Sequence, residues 1–204
     1  MHEEALTERG KELFPRLGKF DGFYLAGGTA LALQIGHRKS VDFDLFTEEA
    51  LPERILQKVK QVFDDATVVT TYNVPGQLNI FIDNVKSTFF QYEYPVVEPF
   101  VMYKNVPLAS IREIAAMKAF SIGKRLSYKD YIDWYFLLSE QHVALPDVIT
   151  LAQQKFKNDF NDRLFLSQLA SFEDIEDLPI DFLRDAVDRS IVENFLAAYI
   201  KNSL

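Results

Sequence analysis

The chain has 204 residues, of which 48% are hydrophobic and 14% aromatic, and it carries a formal net charge of −8 and no cysteine. This apolar content excludes an intrinsically disordered chain and is ample for a sizeable core, in one compact unit or two small subdomains. The absence of cysteine excludes disulfides, thiolate metal ligands and a cysteine nucleophile, and no apolar run approaches the length of a membrane span.

The first predicted elements lead into a glycine-rich turn. Residues 2–19 have the apolar spacing of an amphipathic helix. The apolar run Phe23–Ala26 predicts a buried strand, which the Gly27–Thr29 turn ends before a short helix over Ala30–Ile35. Glycines at the start of a helix let backbone N–H groups approach a phosphate closely, and the helix N-terminus favours its negative charge. A tight turn without any ligand would need the same glycines, so the turn alone does not distinguish a phosphate site from a purely structural turn.

A second predicted strand carries a pair of acids. The basic turn His37–Ser40 precedes this strand, which spans Val41–Phe46. Asp42 and Asp44 alternate with apolar residues, so both carboxylates share one face of the strand. The two carboxylates of such a pair repel each other unless a divalent cation lies between them. Considered without the glycine turn, the pair could equally lie on a solvated strand face. Together, the glycine turn and the acid pair predict a site for a metal-bound nucleotide.

The remaining elements divide the chain into two halves. In the first half we predict a helix over 52–63, a strand over 66–72, a hairpin of 78–82 and 85–92 that turns at Asp83-Asn84, and a short strand over 101–103. From Ser110 onward we predict only helices, over 110–122, 128–139, 146–156, 162–172 and 181–201. The pattern therefore indicates an α+β half followed by a helical half.

Charged residues on the first helices of the second half are further candidates for the site. Lys118 falls on the apolar stripe of its helix, so its ammonium meets either an anion bound between the halves or water and an internal acid. Arg125 lies in a basic turn that suits a phosphate or an RNA backbone, and equally an ordinary surface position. Asp130 is favourable at a helix N-terminus, and a Lys129–Asp133 ion pair four residues apart would explain that pair structurally.

Two stretches of the chain resemble a known family. Residues 25–46, LAGGTALALQIGHRKSVDFDLF, resemble the signature of the DNA polymerase β-like nucleotidyltransferase superfamily and, more closely, the AbiEii/AbiGii toxin family of bacterial nucleotidyltransferases. Residues 109–138 resemble the helical signature of the same family. The resemblance implies an α+β fold, with a nucleotidyltransferase-like mixed sheet and flanking helices over residues 1–108 and a C-terminal helical bundle over residues 109–204.

The resemblance also implies roles for the candidate residues. Asp42 and Asp44 are expected to hold Mg²⁺ or Mn²⁺ and to act in catalysis with Lys118 and Asp130. The residues expected to bind the nucleoside triphosphate (NTP) are Gly27, Gly28, Thr29, Arg38, Ser40, Lys118 and Arg125. The expected acceptor is an RNA or tRNA end or a protein hydroxyl. We further expect an antitoxin protein as partner, no membrane partner and a cytoplasmic location. Because the chain is acidic overall, an RNA would need a local basic patch.

One position departs from the superfamily pattern. The superfamily usually adds a third acid on a later strand, and the resemblance places it near residues 85–90, where Ser87 and Thr88 stand. If Thr88 occupies the acidic position, Glu93 has the wrong parity along the strand to replace it. Two hypotheses therefore remain: a metal-dependent nucleotidyltransferase, or a nucleotide-binding or interaction module of the same fold with little or no turnover.

Overall fold

The protein is built on a seven-stranded mixed sheet with flanking helices, and the computed structural model describes residues 1–124, 127–173, 175 and 178–202. The strands are β1 (Tyr24–Ala26), β2 (Phe43–Thr47), β3 (Val68–Val74), β4 (Gln77–Ile82), β5 (Val85–Gln91), β6 (Val101–Tyr103) and β7 (Val106–Leu108), in the sheet order β3-β4-β5-β2-β1-β7-β6. The helices are α1 (Glu8–Leu13), α2 (Gly27–Ile35), α3 (Ile55–Val62), α4 (Ile111–Ser121), α5 (Tyr128–Ser139), α6 (Leu145–Phe156), α7 (Asp162–Leu169) and α8 (Arg189–Lys201). The predicted fold class is confirmed.

Strand β2 lies at the centre of the sheet, antiparallel to β1 and parallel to β5. Its register places Asp44 between Ala26 on β1 and Thr88 on β5. Phe43 and Leu45 are buried, whereas Asp44 is only partly buried. Because side chains alternate along a strand, one face of β2 packs into the core and the other presents Asp44.

Strands β4 and β5 form the predicted hairpin. Asp83 and Asn84 at the turn have φ values of 46° and 68°. Two successive positive φ angles are typical of the two-residue hairpin turn whose twist matches the flanking strands, and Asp and Asn tolerate this conformation. Leu78 pairs with Phe89, and both are fully buried together with Ile80, so this face of the hairpin packs into the core.

The predicted helix over 2–19 is broken. Residues Glu3–Ala5 form a short 3₁₀ turn, α1 follows, and Phe14–Lys19 form a second 3₁₀ segment. The side chain of Thr7 caps α1 by accepting the Gly10 N–H at 3.0 Å. Pro15, in the first turn of the second segment, has no N–H to continue the α-helical ladder. Capping and proline chemistry therefore override the amphipathic period.

The predicted start of the last helix at Asp181 is also wrong, because α8 begins at Arg189. The chain before α8 instead pairs with the basic turn. The Lys39 N–H donates to the Asp181 carbonyl at 2.7 Å, and the Leu183 N–H donates to the His37 carbonyl at 3.2 Å. This pairing and strand β7 were not predicted.

A continuous set of buried apolar side chains joins the two halves of the chain, from Leu6 to Ile200. The predicted division between residues 108 and 109 stays a prediction. Helix α4 begins with its predicted cap, since the Ser110 hydroxyl accepts the Glu113 N–H at 3.1 Å. Within the described part of the chain, no helix combines the length and apolar character needed to cross a membrane.

A buried ion pair fixes α4 against α6. The Lys155 ammonium lies 2.7 Å from Glu113 Oε1 and donates to the Pro95 carbonyl at 2.5 Å. The other oxygen of Glu113 accepts the N–H groups of Val97 and Glu98 at 3.2 and 3.1 Å. Because each charged group has several partners, the loop after β5 is held to both helices.

Candidate active site

The turn between β1 and α2 is built on two glycines that tolerate very close neighbours. Gly27 has a φ of +70°, which favours glycine, and a Cβ added there would lie 3.1 Å from Asp44 Oδ2. A Cβ added to Gly28 would lie 2.6 Å from Arg38 Nη2. The glycines therefore allow a carboxylate and a guanidinium to pack directly against the first turn of α2, which begins at Gly27 rather than at the predicted Ala30.

Asp42 and Asp44 lie at the start of β2. The strand begins at Phe43 rather than at Val41, which is 46% exposed and does not join the core as the alternation predicted. Both aspartates are partly buried, and they line the same cavity together with Gly28. The structure therefore brings the predicted acid pair and the predicted glycine turn together.

Thr29 attaches the acid pair to the helix. Its buried hydroxyl donates to the Asp42 carbonyl oxygen, and Ser40 Oγ lies 2.8 Å from the same hydroxyl. These contacts hold the residues between the basic turn and β2 against the first turn of α2. Thr29 and Ser40 also line the cavity.

A buried cluster of five residues, here called the Asp133 cluster, adjoins the acid pair. Asp133 Oδ1 lies 2.7 Å from both His37 Nε2 and Arg38 Nε, and Asp133 Oδ2 accepts from Arg38 Nη2 at 3.0 Å. The Lys118 ammonium lies 2.6 Å from Asp133 Oδ2 and 2.5 Å from Asp130 Oδ1. All five side chains are buried. The cluster thus connects the basic turn with α4 and α5.

The charges of the Asp133 cluster largely offset one another. Burial alone would raise the pKa of Asp133, but Arg38, Lys118 and His37 hold it well below its usual range. Burial lowers the pKa of His37 despite its hydrogen bond to Asp133, which favours the neutral imidazole. Buried charges without such partners would be expensive, so the pairing fixes where Arg38 and Lys118 lie.

The structure places two of three charged residues from the helical half. Lys118 meets the internal acids Asp130 and Asp133, and its side chain also lines the cavity. The expected pairing of Lys129 with Asp133 is wrong, because Asp133 points into the cluster while Lys129 is exposed at the cavity. Arg125 lies outside the described residues.

The cavity that these groups share, here called the main cavity, has a volume of about 390 Å³. Its charged lining residues are Arg38, Lys39, Asp42, Asp44, Lys118, Lys129, Asp130 and Asp181. Lys39 Nζ lies 2.9 Å from Asp181 Oδ2 at its edge. A cavity whose described lining combines four cationic side chains, a helix N-terminus and four carboxylates, including the acid pair, is chemically suited to a polyphosphate with a divalent cation.

The acid pair lacks a third carboxylate at the position that the superfamily pattern indicates. Thr88 is the direct neighbour of Asp44 on β5, and Glu93 is exposed beyond the end of that strand. Among the described residues, no group of three or more Asp, Glu or His side chains is arranged to hold a metal ion. Two carboxylates still fit Mg²⁺, because this ion takes most of its ligands from water and phosphate.

Sequence reasoning missed two contributors to this site. Asp133 lies three residues after Asp130, hence on the same face of a helix that is apolar almost all round. A carboxylate in such surroundings needs buried partners, and this signal could have identified it. The other contributor is the segment 179–181, which lines the main cavity through a long-range pairing that no local pattern reveals.

The comparisons with solved structures establish the fold, which is that of nucleotidyltransferases. The chain matches MenT4, nucleotidyltransferase toxin Rv2826c from Mycobacterium tuberculosis H37Rv, with a TM-score of 0.62 at 12% identity, over 96% of this chain and 86% of that chain. A candidate nucleotidyltransferase from H. pylori matches with a TM-score of 0.62 at 18% identity, over 96% and 95% of the two chains. JHP933 from Helicobacter pylori matches with a TM-score of 0.53 at 14% identity, over 97% and 96%. At these identities the likeness establishes the fold.

The chain belongs to the AbiEii nucleotidyltransferase toxin family. The family model described as "Nucleotidyl transferase AbiEii toxin, Type IV TA system" matches residues 11–98 and 67–202. A protein of Aquifex aeolicus (strain VF5), itself uncharacterized, is 36% identical over 163 residues, which are 78% of this chain and 77% of that protein. The resemblance noted in the sequence is therefore confirmed.

Proposed function

We propose that this protein transfers a nucleoside monophosphate from an NTP to an acceptor hydroxyl in the presence of Mg²⁺ or Mn²⁺. The observation that carries the proposal is that Asp42, Asp44 and the start of α2 line one charged cavity. Family membership supports a transferase, and the chemistry of this cavity supports the nucleotide and the metal.

The triphosphate would be held by groups at the main cavity. Gly28, which lines this cavity, and the adjacent Gly27 present backbone at the N-terminus of α2, where the helix dipole favours anions. Arg38 and Lys118 are positioned by the Asp133 cluster, and Lys129 is an exposed cation at the same cavity. Because Arg38 and Lys118 are already paired with Asp133 and Asp130, the helix N-terminus and Lys129 would offset the negative charge of the phosphates, with Arg38 and Lys118 as nearby hydrogen-bond donors.

Asp42 and Asp44 would hold the metal. The metal would neutralise charge on the phosphoryl oxygens and favour ionisation of the acceptor hydroxyl. In the transfer, the acceptor oxygen forms a bond to the α-phosphorus, the bond from that phosphorus to the bridging oxygen breaks, and pyrophosphate leaves. The hydroxyl proton passes to water, because Thr88, the residue beside Asp44 on β5, is not a base.

The acceptor that we propose is an RNA or tRNA end or a protein hydroxyl, in keeping with a toxin that is controlled by an antitoxin. A chain with a net charge of −8 would bind RNA through a local basic patch, and Lys39 and Lys129 provide cations at the edge of the main cavity. Because Lys39 is also paired with Asp181 at 2.9 Å, both acceptors stay in the proposal.

A second candidate function is a nucleotide-binding module with little turnover. The observation that favours it is Thr88 at the position where a third acid would stand beside Asp44. A missing general base lowers the rate by about 10²–10⁴-fold, which would leave binding intact.

The test is transfer from each of the four NTPs, labelled at the α-phosphate, to total RNA and to total protein in the presence of Mg²⁺. We expect label in one of the two acceptor pools, none when the γ-phosphate carries the label, and none with the variant Asp42→Asn/Asp44→Asn. Binding of NTP without label transfer to either pool would favour the module instead.

A further inference from the structure

A second, smaller cavity of about 160 Å³, here called the apolar cavity, lies between β2 and α4. It shares two lining residues, Asp44 and Lys118, with the main cavity. Its other lining residues are Gly27, Phe46, Tyr92, Ile114, Met117 and Ser121. The two cavities therefore adjoin the same carboxylate and the same ammonium, and they differ in what surrounds these groups.

The walls of the apolar cavity are aromatic and adaptable. The rings of Phe46 and Tyr92 have centroids 5.4 Å apart and planes at 80° to each other. Met117, on α4, adds a flexible thioether that can adjust to a ring edge. Phe46, Tyr92 and Met117 pack against the core but are only partly buried, and all three line the cavity. Such surfaces favour a flat ring system in offset or edge-on contact.

Ser121 provides a polar group at this cavity. It is the last residue of α4, and its hydroxyl is 3.4 Å from the Lys118 carbonyl oxygen, a long contact for a hydrogen bond between these groups. The hydroxyl can donate or accept. An apolar cavity with few polar groups at its wall is the usual composition of a site that orients a ligand by a small number of hydrogen bonds.

We propose that the apolar cavity binds the base of the NTP whose phosphates occupy the main cavity. This inference rests on the proposed function and assigns the two ends of the substrate to two environments. The charged end matches the charged lining, and the planar end matches the aromatic lining. Asp44 lies where the two meet, which is where the α-phosphate must be for the metal to act on it.

The test compares Mg²⁺-NTP with Mg²⁺-tripolyphosphate, which lacks the base and sugar, by calorimetric titration. Met117→Trp fills the apolar cavity and should weaken NTP binding roughly tenfold or more, the scale on which an apolar pocket discriminates by size. Its affinity for tripolyphosphate should be unchanged. Arg112→Trp is the matched control, because Arg112 is exposed on the same helix and does not line either cavity. This control should bind both ligands as the wild type does.

A smaller substitution in the same cavity gives a second test that does not depend on whether Met117→Trp folds. Ser121→Ala should alter the relative affinities of the four NTPs and leave tripolyphosphate binding unchanged. If the wild type binds NTP and neither variant changes its affinity, the base lies elsewhere and the inference is overturned while the proposed function stands. If the variants change only the KM for the acceptor, the cavity belongs to the acceptor and the inference is likewise overturned. A wild type that binds neither NTP nor tripolyphosphate refutes the proposed function as well.

Discussion

Replacing Asp133 with asparagine should destabilise the protein, because a buried carboxylate that meets His37, Arg38 and Lys118 loses its charge. The amide oxygen can still accept hydrogen bonds, but the NH₂ group then faces a cationic donor. Removing one partner of a buried charge cluster costs about 3–5 kcal/mol, a large share of a total stability of about 5–15 kcal/mol. For a chain of this length that corresponds to a fall in Tm of about 6–20 °C.

The pH dependence provides a second readout of the same substitution. The pKa of Asp133 in the folded protein is lowered well below its usual value, so its contribution to stability is complete above the unfolded-state pKa, about 3.9. The contribution is lost as the pH falls through that value toward the lower folded-state pKa. Asp133→Asn should therefore lower stability at pH 7 and flatten its decline below about pH 4.

Thermal and urea unfolding between pH 3 and pH 7 measure both effects. Asp21→Asn is the matched control, because the side chain of Asp21 is 96% exposed and lies 3.7 Å from Lys58 Nζ in a surface pair. The control should unfold like the wild type. An Asp133→Asn variant with wild-type stability and an unchanged acid limb would refute the reasoning about the Asp133 cluster.

Three further substitutions test the acid pair, the lysine and the missing acid. Asp42→Asn/Asp44→Asn should abolish transfer in the labelled-NTP assay. It should leave Tm unchanged or raised, because like charges no longer face each other in the metal-free protein. Turnover at the wild-type rate would remove both residues from the mechanism. Lys118→Met should weaken NTP binding in titrations and also lower Tm, because Asp130 loses a cationic partner at 2.5 Å; unchanged affinity would restrict Lys118 to a structural role. Thr88→Asp should raise the single-turnover rate with an accepted RNA substrate, because it restores a carboxylate beside Asp44; a fast wild type that the substitution slows would show that the third acid was placed wrongly.

The parts of the fold that follow local rules were predictable. Asp83 and Asn84 suit a tight turn, and the hairpin formed there. Alternation around Phe43 and Leu45 indicated which face of β2 packs into the core, and both are buried. Ser110 caps α4 as its spacing with the following glutamate indicated. Each of these signals depends on residues within a few positions of one another.

The parts that depend on long-range contacts were not predictable from such signals. The segment 181–183 was predicted to be helical, but its backbone pairs with His37 and Lys39 of the basic turn, more than 140 residues earlier. Asp133 was assigned a surface partner four residues away, and its actual partners lie on two distant segments, the basic turn and α4. Burial of a charge is decided by which elements pack together, and no local period reports it.

Titration of the wild type and of Asp42→Asn/Asp44→Asn with NTP, in Mg²⁺ and in excess chelator, tests the central claim most directly. The account predicts that the wild type binds NTP tightly only when Mg²⁺ is present, because Asp42 and Asp44 share the ion with the phosphates in the main cavity. It also predicts that the double variant loses the Mg²⁺-dependent part of the affinity. Equal affinities of the two proteins in Mg²⁺ would contradict the assignment of this cavity as a metal-nucleotide site.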